Sequence, residues 1–250
     1  MSLSEPINIV EIGKIPSGTT MLFGFPDVGL VGVIAASQLA EELNLAEVAY
    51  VDSKLLPPLI VLHEGLPHSP LRIFGNNEIL LAISETPIPV DIIYPVMYAL
   101  IDWGKRKSVK VMISLSGIPI QDREDAKELK AFVAASTSDA LKLAESKQLE
   151  IMTDGYIVGP QAVMLQRCAQ IGMPALMLLA QCYLNYPDPE AAAVVLKELA
   201  QLTGIKVDVA KLIEKGEEIR IRARDVMQRT QQEMTKMRKG QEYDIPLYVS

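Results

Sequence analysis

The chain has 250 residues, of which 49% are hydrophobic and 22% charged; this excludes a disordered chain, whose mark is low hydrophobicity with high net charge, and fits one large domain or two small ones. Aromatic residues make up only 5%, so the core is aliphatic, a composition suited to a parallel sheet covered by helices. The formal charge of −7, from 24 Lys and Arg against 31 Asp and Glu, argues against a general nucleic-acid binder, which carries a basic face.

Cys168 and Cys182 are too few for a disulfide scaffold and point to a reducing compartment. Residues 1–19 lack a basic start followed by an apolar run, since Glu5 and Glu11 interrupt, so no signal peptide is read there. The longest uncharged stretch, 168–187, contains Gly172, Pro174, Gln170, Gln181 and Asn185 and suits a buried strand better than a spanning helix. A soluble cytoplasmic protein without a membrane partner is expected.

In chain order, residues 21–25 read as a strand stopped by Pro26. Residues 28–43 then place apolar side chains at 30, 31, 34, 35, 39 and 43, a helical period. Residues 48–51, 59–62, 71–74 and 79–83 read as strands between Pro- and Gly-rich turns, a meander attached to an otherwise parallel sheet. A helix is predicted over 90–103 and a β-branched strand over 109–115. Asp122, with Asp125 three residues on, reads as the cap of a helix over 124–146. A strand over 151–156, a helix over 160–169 closed by Gly172 and a strand over 175–179 follow. Pro189 in a first helical position opens a helix over 190–203, which Gly204 closes. Five or six strands with intervening helices predict a three-layer α/β/α sandwich with a mostly parallel sheet.

Beyond residue 205 the chain changes character. Asp208 reads as the cap of one long helix reaching Lys239, on the order of 45 Å at 1.5 Å per residue. Residues 206–239 hold ten basic and six acidic side chains, a net of +4, which leaves −11 on the rest. A heptad places Val209, Gly216, Ala223, Thr230 and Met237 at one position and Leu212, Ile219, Val226 and Glu233 at the other. The stripe either packs on its own domain or pairs with another subunit, and the length and charge of the segment favour an extended arm. The expected division is therefore a core over 1–205, a helical arm over 206–239 and a flexible tail over 240–250.

Candidate chemistry is sparse. Gly24-Phe25-Pro26-Asp27-Val28-Gly29-Leu30-Val31-Gly32 forms a strand, a tight turn and a helix start, the setting in which helix N-termini bind anions. Pro26 occupies the second glycine of a dinucleotide fingerprint, and Gly29 is followed by Leu30 where a phosphate loop needs Lys. Ser116-Gly117 ends a strand where open α/β sheets place their sites, but the flanks do not form a nucleophile elbow. The two histidines, His63 and His68, lie in one turn with Glu64 at a spacing that matches no familiar metal pattern. No metal, cofactor or catalytic set is predicted.

Six segments in order nevertheless resemble a known family: Gly24-Phe25-Pro26-Asp27-Val28-Gly29, Ser116-Gly117-Ile118, Gly155-Tyr156-Ile157-Val158-Gly159-Pro160, Gly172-Met173-Pro174-Ala175, Tyr186-Pro187-Asp188-Pro189-Glu190-Ala191-Ala192 and Gly204-Ile205-Lys206-Val207-Asp208. The order, over about residues 8–235, is similar to that of the PAC2 family, named for a subunit of a eukaryotic proteasome assembly chaperone. The resemblance implies a phosphorylase- or peptidase-like three-layer sandwich with a helical C-terminal extension. It also implies homo- or hetero-oligomers that act as scaffolds for proteasome α-subunits. Docking factors of the proteasome end in a hydrophobic residue, a tyrosine and one last residue, whereas Leu247-Tyr248 is followed here by two. The expected function is a non-enzymatic, homo-oligomeric assembly chaperone. Its partner surface is placed at Leu212, Gly216, Ile219, Ala223, Val226, Leu247 and Tyr248, and its partners are proteasome α-subunits or another PAC2-like chain. The alternative is a small-molecule or nucleotide-binding enzyme using a crevice at Gly24, Pro26, Asp27, Gly29, Ser116 and Gly117.

Overall fold

The computed structural model describes residues 7–237. Its first half runs β1 (Asn8–Glu11), β2 (Thr20–Gly24), α1 (Val31–Glu42), β3 (Ala46–Asp52), β4 (Val61–His63), β5 (Leu66–His68), β6 (Leu71–Gly75), β7 (Ile79–Ser84) and α2 (Ile93–Arg106). It continues with β8 (Val111–Pro119), β9 (Ala131–Ala135), α3 (Ser138–Ser146), α4 (Pro160–Gln170), β10 (Ala175–Cys182), α5 (Pro189–Thr203), α6 (Ala210–Glu214), α7 (Gly216–Arg222) and α8 (Arg224–Lys236).

Eight strands form one sheet in the order β1-β3-β6-β7-β2-β8-β10-β9, and β4 and β5 form a separate hairpin. The pairings β7-β2, β2-β8 and β8-β10 are parallel and the outer ones antiparallel, so that β2, β3, β7, β8 and β10 run in one direction. Side chains alternate across this sheet, as the pleat requires. Leu22, Ile113, Leu115, Leu176 and Leu178 face α1, α5 and the 210–237 segment, whereas Met21, Phe23 and Met112 face α2 and α4. Both faces are thus covered, which explains why the central strands read as unbroken apolar runs. The expected three-layer architecture is present, and β3, β6 and β7 form the expected meander, with the small hairpin inserted between β3 and β6.

Local signals account for the helix ends. Asp188 caps α5 by accepting from the Ala191 N–H at 3.1 Å, and Gly204 ends that helix in the left-handed conformation at φ 80°. Pro160 opens α4 in the first turn, where its missing N–H has no intrahelical use.

Three expectations need correction. The helix over 124–146 is instead an irregular segment, the strand β9 and the shorter α3, capped by Thr137. Ala131, Ala134 and Ala135 favour a helix by propensity, but hydrogen bonding along the edge of β10 outweighs it. The strand over 151–156 reduces to a bridge between Ile151 and Val133, which covers the outer edge of β9. The sheet also has more strands than expected, because β1 and β9 add antiparallel edges.

The segment after Asp208 is helical but divided at Lys215 and Ala223. Hydrogen bonds of helical spacing continue across both divisions, from Lys215 N to Lys211 O, Ile219 N to Lys215 O, Ala223 N to Ile219 O and Met227 N to Ala223 O, at 2.9–3.0 Å. The described part of the arm lies along its own domain instead of standing off it. Leu212, Met227 and Met234 enter the cluster formed by α1 and α5. Glu233 accepts from the Val90 N–H, and Gln231 donates to the Asn185 carbonyl.

Candidate functional site

The turn after β2 contains a 3-10 segment, Val28–Leu30, in which Gly29 has φ 60° and Leu30, also left-handed, has φ 50°. This turn presses α1 onto the sheet. A Cβ on Gly32 would stand 2.2 Å from the Leu115 carbonyl oxygen, and one on Gly24 2.1 Å from the Ala36 Cβ. On Gly117 a Cβ would lie 2.4 Å from the Cys182 sulfur, and on Gly29 3.1 Å from the same residue. The glycines are therefore spacers for backbone-to-backbone packing.

Asp27, Ser116 and their neighbours do come together at the C-terminal ends of the parallel strands, and they are buried. Asp27 is 3% exposed and Ser116 0%. The Ser116 hydroxyl donates to Asp27 Oδ2 at 2.7 Å, and the Gln161 amide donates to the same oxygen at 2.5 Å. Gln161 Oε1 accepts no hydrogen bond among the described residues. Gly24, Pro26, Gly29 and Gly117 are likewise buried. The arrangement ties α4 to the β2 turn and to β8, and it keeps the serine hydroxyl engaged with a carboxylate and away from solvent.

The histidines lie elsewhere. His63 Nε2 is 3.0 Å from Glu85 and 2.8 Å from Arg72, and His68 Nδ1 is 3.3 Å from Glu47. They anchor the β4–β5 hairpin to the sheet. Cys168 is fully buried, and burial pushes its thiol up to about 12.

Next to the buried serine is a feature that the sequence reading missed. Arg123, inside the irregular segment before β9, reaches Asp188 with Nε at 2.8 Å and Nη2 at 3.0 Å, and Glu190 with Nη2 at 2.7 Å. Its guanidinium lies over the Tyr183 ring at 4.7 Å. Burial alone would lower the Arg123 pKa, but the hydrogen bonds to Asp188 and Glu190 hold it above the ordinary arginine value. The Asp188 N–H in turn donates to the Gly29 carbonyl at 2.8 Å. Arg123 had no visible signal, since Asp122 and Asp125 around it read as the cap of a helix over 124–146. Gln161, in the first turn of a helix, gave none either.

The arm residues divide by side. Leu212, 1% exposed, and Gly216 are buried against the chain's own domain, and Ile219, Ala223 and Val226 are half-buried. With Leu30, Val33 and Ile34 of the α1 region, Leu212, Ile219, Ala223 and Val226 line a groove of about 500 Å³. Facing outward are Ile213, 57% exposed, and Ile221, 69% exposed. Ile221 lines a second groove of about 420 Å³ with Tyr186, 68% exposed, and with Arg220 and Arg224. Leu247 and Tyr248 lie outside the described residues, as does the tail over 240–250. Among the described residues no helix is long and apolar enough to cross a membrane, and no group of three or more His, Cys, Asp or Glu is placed to hold a metal ion.

Residues 21–227 match the family model described as the PAC2 family. The chain belongs to the PAC2 family. Solved structures share its fold. PbaA of Pyrococcus furiosus, described as an archaeal homologue of proteasome-assembly chaperone, is 29% identical and superposes with a TM-score of 0.85, over 91% of this chain and 99% of that one. PbaB of the same organism, described as an archaeal proteasome activator, is 20% identical with a TM-score of 0.75, over 88% of this chain and 98% of that one, and so shares the fold. An uncharacterised protein of Methanocaldococcus jannaschii is 27% identical over 246 residues, which cover 98% of this chain and 99% of that protein.

Proposed function

We propose that this PAC2 protein is a non-enzymatic, homo-oligomeric assembly chaperone of the cytoplasm, acting on proteasome α-subunits or together with another PAC2-like chain. The observation that carries the reading is the correspondence with PbaA, which runs through nearly the whole of both chains. Burial of Asp27, Ser116 and the surrounding glycines supports it, because a binding site needs a concavity that a ligand enters.

The arm is the partner-facing element in this reading. Within it the working side chains are the outward Ile213 and Ile221 and the neighbouring Tyr186, while Leu212 and Gly216 serve to seat the arm. Large exposed apolar and aromatic side chains next to arginine are the composition of interface hot spots. Leu247-Tyr248 provides a second point of attachment.

The test is light scattering on the full chain, with capture of co-expressed proteasome α-subunits by wild type and by the Ile213→Asp/Ile221→Asp double variant. Removing the whole arm would confuse the result, since Leu212, Met227 and Met234 belong to the core. The expected outcome is a defined oligomer that retains α-subunits, with retention lost in the variant. A monomer that retains none overturns the proposal. A melting temperature raised by a nucleotide or nucleoside in the same preparation would favour the enzyme alternative, since a ligand at 100 times its Kd adds about 2.7 kcal/mol.

A further inference from the structure

We infer that the β4–β5 hairpin of one copy seats in the groove between α1 and the 210–226 segment of a second copy. The inference rests on the self-association proposed above and names the surfaces that carry it. Ile60, Leu62 and Leu66, on and beside this hairpin, stand 63–64% exposed. A two-stranded hairpin is marginal on its own, and this one is held in place by polar contacts. Its two-residue turn, Glu64-Gly65, has φ 51° and 81°, the left-handed pair that closes a tight hairpin. His63 meets Glu85 and Arg72, and His68 meets Glu47. These contacts fix the hairpin to its own sheet and leave three large aliphatic side chains uncovered in one place, the mark of an interaction surface.

The groove of about 500 Å³ offers the complement. Leu30, Val33, Ile34, Ile219, Ala223 and Val226 give it an aliphatic lining. Of the charges around it, Glu218 pairs with Arg222 and Glu85 with Arg72. Lys211 and Lys215, one helical turn apart, form no ion pair among the described residues, and Glu41, likewise unpaired there, offsets one of them. One positive charge is left in excess. The hairpin brings the matching sign, since Glu64 at its tip is exposed and forms no ion pair among the described residues. The second groove, at Tyr186 and Ile221, includes Asn185, Gln228 and Gln231 in its lining and is a poorer match for three aliphatic side chains.

Knob and groove lie side by side. Glu85, just after β7, lines the groove and also holds His63 of the hairpin. While pinned there, the hairpin does not fill the groove of its own copy. Because knob and groove are different surfaces, the contact closes by reciprocal exchange in a pair or by succession around a ring.

The experiment uses full-length chains with two different tags, co-expressed, one carrying Pro67→Cys and the other Ser37→Cys, joined by a short bismaleimide. Both positions are exposed, the first on the hairpin and the second in the groove, and the free charges are kept. Cys168 and Cys182 are buried and stay unreacted. The mixed cross-link is expected to exceed that of Pro67→Cys with Gln228→Cys, an exposed position in the neighbouring groove. It is expected to fall about tenfold or more when the Pro67→Cys chain also carries Leu62→Asp/Leu66→Asp, the loss that follows removal of a hot spot. Both leucines are exposed, so the core is untouched. A cross-link no stronger than that to position 228, or one that survives Leu62→Asp/Leu66→Asp, overturns the inference. Light scattering on the unlinked chain separates the two proposals. A defined oligomer without the cross-link keeps the self-association and removes this seat, whereas a monomer removes both.

Discussion

Arg123 places two nitrogens on the two carboxylate oxygens of Asp188, at 2.8 and 3.0 Å, with Asp188 wholly out of solvent. One carboxylate thus holds the irregular segment after β8, caps α5 and accepts from the Tyr183 N–H at the end of β10. Removing one partner of a buried pair leaves the other charge uncompensated. Arg123→Met is expected to lower stability by about 3–5 kcal/mol, read as a lower urea midpoint. A loss below about 1 kcal/mol would show that water reaches Asp188.

Two glycines separate packing inside the domain from packing between helices. Gly32→Ala sets a Cβ against the Leu115 carbonyl in the central strand, and a loss of about 3 kcal/mol is expected. Gly216→Ala meets nothing nearer than 4.0 Å, at Arg220 and Pro189. It should raise stability by roughly 0.5–1 kcal/mol, the helix preference for alanine. If light scattering finds an oligomer, its dissociation by Gly216→Ala would instead show that a neighbouring helix approaches at that residue.

The Cys168 thiol, pushed up to about 12 by burial, lies 3.8 Å from the Met112 sulfur. At pH 8 it is expected to resist iodoacetamide in the folded protein and to react only as fast as the chain unfolds. Mass spectrometry of the peptides distinguishes it from Cys182. Rapid labelling in native buffer would contradict the packing of α4 on β8.

Two glutamates shift in opposite directions and give opposite pH signatures. Hydrogen bonds from Lys107 and Trp103 hold the Glu11 carboxyl below its usual value. Its contribution is present above the unfolded pKa and is lost as pH falls through the folded one. Burial raises the Glu198 carboxyl, so its ionised form costs stability, fully above the folded pKa and not at all below the unfolded one. Glu198→Gln is therefore expected to stabilise at pH 7 and to have no effect near pH 3. Glu11→Gln is expected to destabilise at pH 7 and to destabilise less as the pH falls towards 3, the carboxylate's contribution being lost through its lowered folded pKa. Thermal melts of both variants at the two pH values test the signs.

The parts of this fold that were legible in the sequence are those fixed by local chemistry. Pro189 and Gly204 bound α5, and apolar runs mark the doubly covered strands β2, β8 and β10. The strand β9 was illegible because alanines take their conformation from the neighbour they meet. The heptad on the arm was real but incomplete: Met227 and Met234 are also buried. They widen the stripe from a coiled-coil seam to the broader face of a helix packed on its own domain. The candidate site was legible as a place and not as an arrangement. Ser116 and Asp27 were expected at one crevice, yet nothing in their spacing indicated that the hydroxyl would donate to the carboxylate, or that Gln161, 134 residues from Asp27, would join them.

The two margins of the sheet differ. Along β9 the outer edge is occupied by the bridge to Ile151, while β1, four residues long, has no outer neighbour among the described residues. Unpaired edges are where sheets join across molecules. An edge of this kind is a terminator as well as a joiner: once β1 of one copy has met β1 of another, that edge is spent. Strand addition at β1 thus joins two copies at most, and β1 alone does not build a larger ring.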